Sequence, residues 1–323
     1  MPHYLLTGAG FSRNWGGFLA DEAFEYLLTR PLDDSIRRLL WDSKNKGGFE
    51  TALAQLQVVF KQSSSPQNGA RLQALTSAVM DMFRSMNAGL ARATFDSTTA
   101  NPSDITPVAE FLRKFDAIFT LNQDTLLEHH YVDNPKLGRF GKTYLPYVKR
   151  EQDPGELTRF ASDATMVPDL DLPLQFKQQP YYKLHGSSNW VSGKERLLVV
   201  GGNKPELLKQ FPILERYRSE FAAHLSKPNA RLMIIGYSFG DEHINEIIAE
   251  ACSKGLKLFI IDPNGTNSID TRRAADKQAA IAVPLTEFTQ AVMPSIIGAS
   301  RRDLRNTIFH DSVERAKVWS FFD

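Results

Sequence analysis

The chain has 323 residues, 42% of them hydrophobic and 23% charged, and its 38 basic and 37 acidic side chains leave a formal net charge of +1. That balance provides no basic field, so direct nucleic-acid binding and membrane attachment are not expected. Cys252 is the single cysteine, which excludes an intrachain disulfide and a zinc site of the paired-cysteine kind and fits a reducing cytoplasm.

The first elements appear at once. Tyr4-Leu5-Leu6, followed by Thr7-Gly8-Ala9-Gly10-Phe11-Ser12, reads as a buried strand running into a tight glycine turn. Because this strand starts within three residues of Met1 and no apolar run approaches the ~20 residues of a membrane span, neither a signal peptide nor an anchor is expected. A glycine turn brings bare backbone N–H groups close to a negatively charged ligand, a dinucleotide pyrophosphate first among the candidates. The third glycine of the full dinucleotide fingerprint is missing, since Arg13 stands at its position. The loop from Arg13 to Ala20 holds two glycines and two aromatics and reads as a mobile cover leading to Asp21, the expected cap of a helix with Phe24, Leu27 and Leu28. From Glu22 to Lys114 the pattern stays mostly helical. Leu53, Leu56, Gln57 and Phe60 share one face, Leu72, Leu75, Val79 and Phe83 another, and Ser63-Ser64-Ser65-Pro66 separates the two runs. These stripes read as core, and residues 22–114 as a helical insertion after the first strand.

Thr106-Pro107 marks the next helix start, and Asp116 to Leu121 the second buried strand, which runs into Asn122-Gln123-Asp124. A short helix follows and ends near His129-His130. Adjacent histidines on a helix face different ways and no third ligand has suitable spacing, so no metal site is expected there. Residues 132–180 read as an irregular excursion with a short hairpin around Lys142 to Val148. Tyr181 to Leu184 forms a third strand that delivers His185. Leu197 to Val200 is a further strand candidate, and a helix is expected from about Lys204 to His224. Arg231 to Ile235 is a strand ending in Gly236-Tyr237-Ser238-Phe239-Gly240-Asp241, after which Ile244, Ile247, Ile248 and Ala251 mark a helix face. Lys257 to Ile261 is a strand ending at Asp262. Ala280 to Val283 is expected as a last strand before C-terminal helices that finish with Trp319, Phe321 and Phe322.

Strands alternating with helices call for an α/β architecture, a mostly parallel sheet covered by helices on both faces, here within a single domain of residues 1–323. In a parallel sheet the carboxyl ends share one edge. Five strands end there in polar or glycine groups: Gly8 to Ser12, Asn122 to Asp124, His185, Gly236 to Asp241, and Asp262.

Read together, Gly8-Ala9-Gly10-Phe11-Ser12, Leu121-Asn122-Gln123-Asp124, Lys183-Leu184-His185-Gly186, Gly236-Tyr237-Ser238 and Ile261-Asp262 resemble, in order, the NAD-binding elements of the sirtuin family. That resemblance implies a Rossmann-like domain that breaks the nicotinamide–ribose bond of NAD. It implies Gly8, Ala9, Gly10, Phe11 and Ser12 as the turn that holds the pyrophosphate, Asp124 near the nicotinamide amide, Asn122 near its ribose, and His185 acting on the ribose hydroxyls. Gly236, Ser238 and Asp262 would hold the adenosine side. The four-cysteine zinc ribbon of the protein-deacylating sirtuins has no counterpart, and Gly16-Gly17-Phe18-Leu19 replaces their acidic-Phe-Arg run. In these departures the chain is similar to zinc-free sirtuin-like proteins of bacterial anti-phage systems, which implies an NAD hydrolase with no metal, a homo-oligomer, and a partner such as a hexameric DNA-translocase ATPase of the HerA type.

The chemistry of that reaction suits the residues. As nicotinamide leaves, positive charge develops on the ribose, so the site must hold the sugar and admit one nucleophile. An imidazole of ordinary pKa, about 6.5, is largely neutral at pH 7 and takes a proton from a hydroxyl or water, the role expected for His185. Asn122 donates and accepts at once and suits orienting ribose and water. Two alternatives remain from the sequence: NAD-dependent protein deacylation or ADP-ribosyl transfer, and a module that senses NAD or ADP-ribose without turnover.

Overall fold

The computed structural model describes residues 1–95, 107–132, 143–151, 165–175, 178–192, 195–198, 211–270 and 284–323. The strands are β1 (His3–Thr7), β2 (Ala117–Thr120), β3 (Thr143–Tyr144), β4 (Val148–Arg150), β5 (Met166–Pro168), β6 (Gln179–Lys183), β7 (Gly186–Ser192), β8 (Glu195–Leu198), β9 (Arg231–Ile235), β10 (Lys257–Ile261) and β11 (Ile296–Ser300). Seven of them build a parallel sheet in the order β11-β10-β9-β1-β2-β6-β3. Apart from the added edge strand β3, this is the doubly wound order of a Rossmann-like sheet.

Alternation along the strands sorts side chains between two cores. Tyr4, Leu6, Phe119, Leu232, Ile234, Leu258 and Ile260 face one side, and Leu5, Ile118, Met233, Ile235, Phe259 and Ile261 the other. The first side is covered by α7 (Pro212–Leu225) and α8 (Glu242–Ser253), and also holds Val148, Met166 and Trp190 from the second sheet, β4-β5-β7-β8. The second side is covered by the segment between β1 and β2 and by the C-terminal helices.

That segment is helical, as the stripes of the sequence require. It contains α1 (Ala9–Arg13), α2 (Ala20–Leu28), α3 (Asp34–Ser43), α4 (Gly48–Gln62), α5 (Pro66–Arg92) and α6 (Pro107–Leu112). Ser65 caps α5 by accepting from the Asn68 N–H at 3.2 Å, with Pro66 in the first turn, so the Ser-Pro break starts a helix as well as ending one. At 27 residues α5 is about 40 Å long and reaches the edge of the sheet. α9 (Glu287–Val292) lies in the connection from β10 to β11, and α10 (Leu304–Phe309) and α11 (Ser312–Trp319) follow β11. No helix among the described residues is long and apolar enough to cross a membrane.

Several expectations need correction. α2 starts at Ala20, so Asp21 lies inside its first turn and the cap position falls to Leu19, whose N–H bonds Glu22 at 2.8 Å. The hairpin expected around Lys142 to Val148 does not form: β3 adds to the main sheet beside β6, while β4 pairs with β5. Gly186 to Ser192, whose Gly-Ser-Ser-Asn start resembles a loop, is strand β7, held by pairing with β5 and β8 and by the fully buried Trp190. The last main-sheet strand is β11. The strand expected at Ala280 to Val283, the capping Thr106 and the first residues of the helix expected from Lys204 lie outside the described residues. In the expected cover loop, Trp15 is a core anchor, 6% exposed, packed on Phe11 and Phe95 and donating its ring N–H to the Phe95 carbonyl at 3.1 Å.

Two contacts set the carboxyl edge. The chain builds outward from β1 to β2 and β6, then returns to β9 on the other side of β1, so a crevice opens between the loops after β1 and β9. There the Gly8 N–H donates to the Ile235 carbonyl and the Gly10 N–H to that of Gly236, both at 3.0 Å. Gly236 has φ +62°, and a Cβ on it would stand 2.4 Å from the Gly10 backbone. Beneath the β2 and β6 ends, the fully buried Lys183 ammonium pairs with Glu128 at 2.6 Å and donates to the Asp124 backbone carbonyl at 2.5 Å. Burial pushes the Glu128 carboxyl up, opposed by the Lys183 charge beside it.

Gly236→Ala is therefore expected to lower stability by roughly 2–4 kcal/mol, from overpacking and a strained φ together, read from the urea midpoint. Lys183→Met alone leaves a buried carboxylate without its cation and should cost about 3–5 kcal/mol, whereas the double change Lys183→Met with Glu128→Leu should recover most of the loss. Equal destabilisation of single and double variants would show that the pair is not what holds this region.

Candidate functional site

A cavity of about 1200 Å³ lies over the carboxyl edge of the sheet. Its size exceeds the ~300–1,000 Å³ usual for small-ligand pockets. Its floor collects the ends of five adjacent strands: Gly8, Ala9 and Gly10 after β1, Asn122, Gln123 and Asp124 after β2, His185 after β6, Gly236 and Ser238 after β9, and Asp262 after β10. The expected site residues thus meet in one place, with two exceptions. Phe11 and Ser12, 1% and 3% exposed, stand behind the wall, Phe11 in the core against Trp15 and Ser12 beside Asn122.

The glycine turn differs from its expected use. The N–H groups of Gly8 and Gly10 point across to the β9 loop, so what these glycines provide is close backbone approach. Asn14 ties the turn down: its side-chain NH₂ donates to the carbonyls of Gly10 and Phe11, both at 2.9 Å, and its oxygen accepts from the Leu304 N–H at 3.1 Å.

Asn122 is oriented from two sides. Its NH₂ donates to the Ser12 hydroxyl at 2.9 Å, and its backbone N–H to the Thr120 hydroxyl at 3.0 Å. Thr120 in turn accepts from the Thr7 hydroxyl at 2.7 Å, so a short buried hydroxyl chain runs from β1 through β2 to Asn122. Asp124, 6% exposed, accepts from the Leu126 N–H at 2.9 Å, starting the turn that carries Glu128. Asn87 on α5 accepts from the Thr125 N–H and donates to the Ser188 hydroxyl, so the insertion braces both the β2 loop and β7.

His185, 3% exposed, has its backbone carbonyl bonded by the Gln123 side chain at 3.3 Å. Its Nε2 lies 3.2 Å from Nε2 of His243, the second residue of α8, and the two nitrogens form one hydrogen bond whose direction depends on the tautomers. Asp241 joins the group, with one donor atom from each of the three residues within 4.8 Å of the others. The Tyr237 hydroxyl fixes the Asp241 backbone, accepting from its N–H and donating to its carbonyl, both at 3.1 Å, and burial holds the Tyr237 phenol well above its usual range. On the far side, Asp262 accepts from the Asn264 N–H at 2.8 Å.

The sequence reading missed His243, which stands among apolar helix positions, and explained Asp241 as a helix N-cap. It also missed two walls. Lys44, Phe49, Phe83 and Met86 from the insertion, and Arg302, Arg305 and His310 from the C-terminal segment, line the cavity with Phe18 of the covering loop. Of the paired His129-His130, His130 bonds the Leu90 carbonyl at 2.7 Å and stacks on Phe95.

A family model described as SIR2-like domain matches residues 116–283. No curated protein matches the chain. Among solved structures, a mutant Sir2 homologue in complex with 2'-O-acetyl ADP ribose is similar, at 13% identity over 99% of this chain and 92% of that one, with a TM-score of 0.43. A Sir2 homologue–NAD complex is 15% identical over 99% and 90%, with a TM-score of 0.39, and another Sir2 homologue mutant with ADP ribose is 14% identical over 98% and 92%, with a TM-score of 0.39. It is the domain match, which spans more than half of the 323 residues, that decides the matter: the chain belongs to the SIR2-like domain family.

Proposed function

We propose that this chain is an NAD hydrolase, cleaving the bond between nicotinamide and ribose to release nicotinamide and ADP-ribose, and that it serves to deplete NAD during phage infection. The observation that carries the hydrolytic reading is the placement of Asn122 and His185 at the ends of neighbouring strands, on the floor of the cavity that the glycine turn enters. A pocket that only recognised a dinucleotide would have no need of a buried imidazole beside a braced amide at the sugar position. Residues of the Arg13 to Ala20 loop and of the insertion line the cavity, which favours limiting the access of bulk water to a reacting ribose.

In this reading the nicotinamide–ribose bond breaks with its electron pair leaving on nicotinamide, and the ribose carbon becomes cationic. Asn122 orients the ribose and one water. Water attacks the ribose carbon, and His185 accepts the proton lost from the water or from a ribose hydroxyl. NAD and water become nicotinamide, ADP-ribose and one proton. The pyrophosphate lies along Gly8 to Gly10, and Ser238 and Asp262 hold the adenosine side. The resemblance of the sequence to the zinc-free group is what supports the defensive role, a homo-oligomer and gating by a HerA-type ATPase or another phage-sensing partner.

The test is NAD consumption by the purified chain, alone and with the product of its neighbouring gene. Under the conditions that give turnover, His185→Ala and Asn122→Ala should each lose about 100-fold or more while keeping the parent's thermal unfolding. Folded variants that consume NAD at the parent's rate would overturn the assignment. Formation of O-acyl-ADP-ribose from an acyl-lysine peptide would replace hydrolysis with deacylation.

A further inference from the structure

The proposed hydrolysis uses His185 but not the two donors beside it. The Nε2 atoms of His185 and His243 face one another at 3.2 Å, and both rings are nearly buried, 3% and 8% exposed. Asp241 occupies the cap position of α8, yet its side chain makes no capping bond to the helix; its backbone carbonyl accepts from Ile244 and Asn245 instead. One atom from each of the three residues lies within 4.8 Å of the others.

Two imidazoles and a carboxylate form a donor set for a borderline divalent transition metal, whereas Mg²⁺ and Ca²⁺ prefer oxygen alone. Two nitrogens on a tetrahedral zinc, each about 2.0–2.1 Å from the ion, stand about 3.3–3.4 Å apart, close to the separation of these imidazoles. Asp241 then needs only a side-chain adjustment to complete three ligands. Because His185 and Asp241 line the cavity, the remaining coordination position opens into it. This placement is unrelated to a cysteine ribbon, since the lone Cys252 is not part of the group.

We infer that His185, Asp241 and His243 bind a zinc-class divalent cation, and that the bound cation switches off hydrolysis by occupying the His185 nitrogen. A metal-bound imidazole has no lone pair at that atom with which to accept a proton. The inhibitory half rests on the function proposed above; the binding half does not.

Co²⁺, whose absorption reports its coordination, is the probe for binding to the full chain. The metal-stripped parent should take up one equivalent, and His243→Gln and Asp241→Asn should each weaken binding at least tenfold. Two variants guard against the loss of one to misfolding, and circular dichroism is recorded on both. Affinity in the parent within twofold of both folded variants overturns the site. In the second arm, NAD consumption under activating conditions is measured before and after Zn²⁺ at one equivalent above saturation. At least a tenfold loss, restored by a chelator, is expected, while unchanged or faster turnover overturns the inhibitory role. A parent that binds one Co²⁺ at these residues yet consumes no NAD under any condition overturns the hydrolase reading and upholds the site.

Discussion

The close approach of two backbones, Gly8 to Gly10 on one side and Gly236 on the other, is the constraint on which the carboxyl edge depends. β1 and β9 are paired neighbours in the sheet but lie far apart in the sequence, so the loops that follow them meet only by direct contact. They are held by the N–H groups of Gly8 and Gly10 donating to β9 and its loop, at a separation that no Cβ on Gly236 allows. The missing third glycine of the fingerprint follows from the same geometry. That glycine serves close packing of a long helix on the strand. Here α1 is five residues long and Arg13 ends it exposed, paired with Glu22 at 2.9 Å, so a side chain meets no obstacle.

The helical insertion is both core and wall. Phe83 and Met86 belong to the buried cluster on one face of the sheet and also line the cavity, while Asn87, the next residue after Met86, braces Thr125 and Ser188. A periodic apolar stripe fixes that a helix is amphipathic, but not which part of its buried face meets the core and which meets a ligand space. That distinction is set by where the helix ends relative to the sheet edge.

What could be read from the sequence follows the same division. β1, β2, β6, β9 and β10 are apolar runs closed by glycine or polar groups, and both their existence and the gathering of their ends are visible from alternation with helices. β7 is not, because Gly186, Ser187 and Ser188 have loop character and become strand through partners distant in sequence. β3 escapes for a related reason: two residues cannot show a period, and its pairing with β6 is a tertiary event. In the site, Asn122, Asp124 and His185 were visible at strand ends, where position itself carries meaning. His243 sits on a helix amid Ile244, Ile247 and Ile248, and nothing local separates it from a core histidine; only the fold brings it to His185.

The support beneath the edge argues further that the site is a built structure. Buried polar groups are costly unless they are satisfied, and a buried ion pair seldom improves stability over apolar residues of similar volume. Yet Thr7, Thr120, Ser12, Lys183 and Glu128 are all buried just below the strand ends. Each is connected upward: Thr7 through Thr120 and Ser12 directly to Asn122, and Lys183, with Glu128, to the Asp124 carbonyl. Stability alone would be served equally well by apolar pairs at these positions. Polar partners instead fix the amide plane of Asn122 and the main chain of Asp124 in single orientations, because each hydrogen bond is directional where a hydrophobic contact is not. The buried polar residues are thus explained by the orientation they impose on the cavity floor, and that floor is where the sheet, the insertion and the C-terminal helices converge.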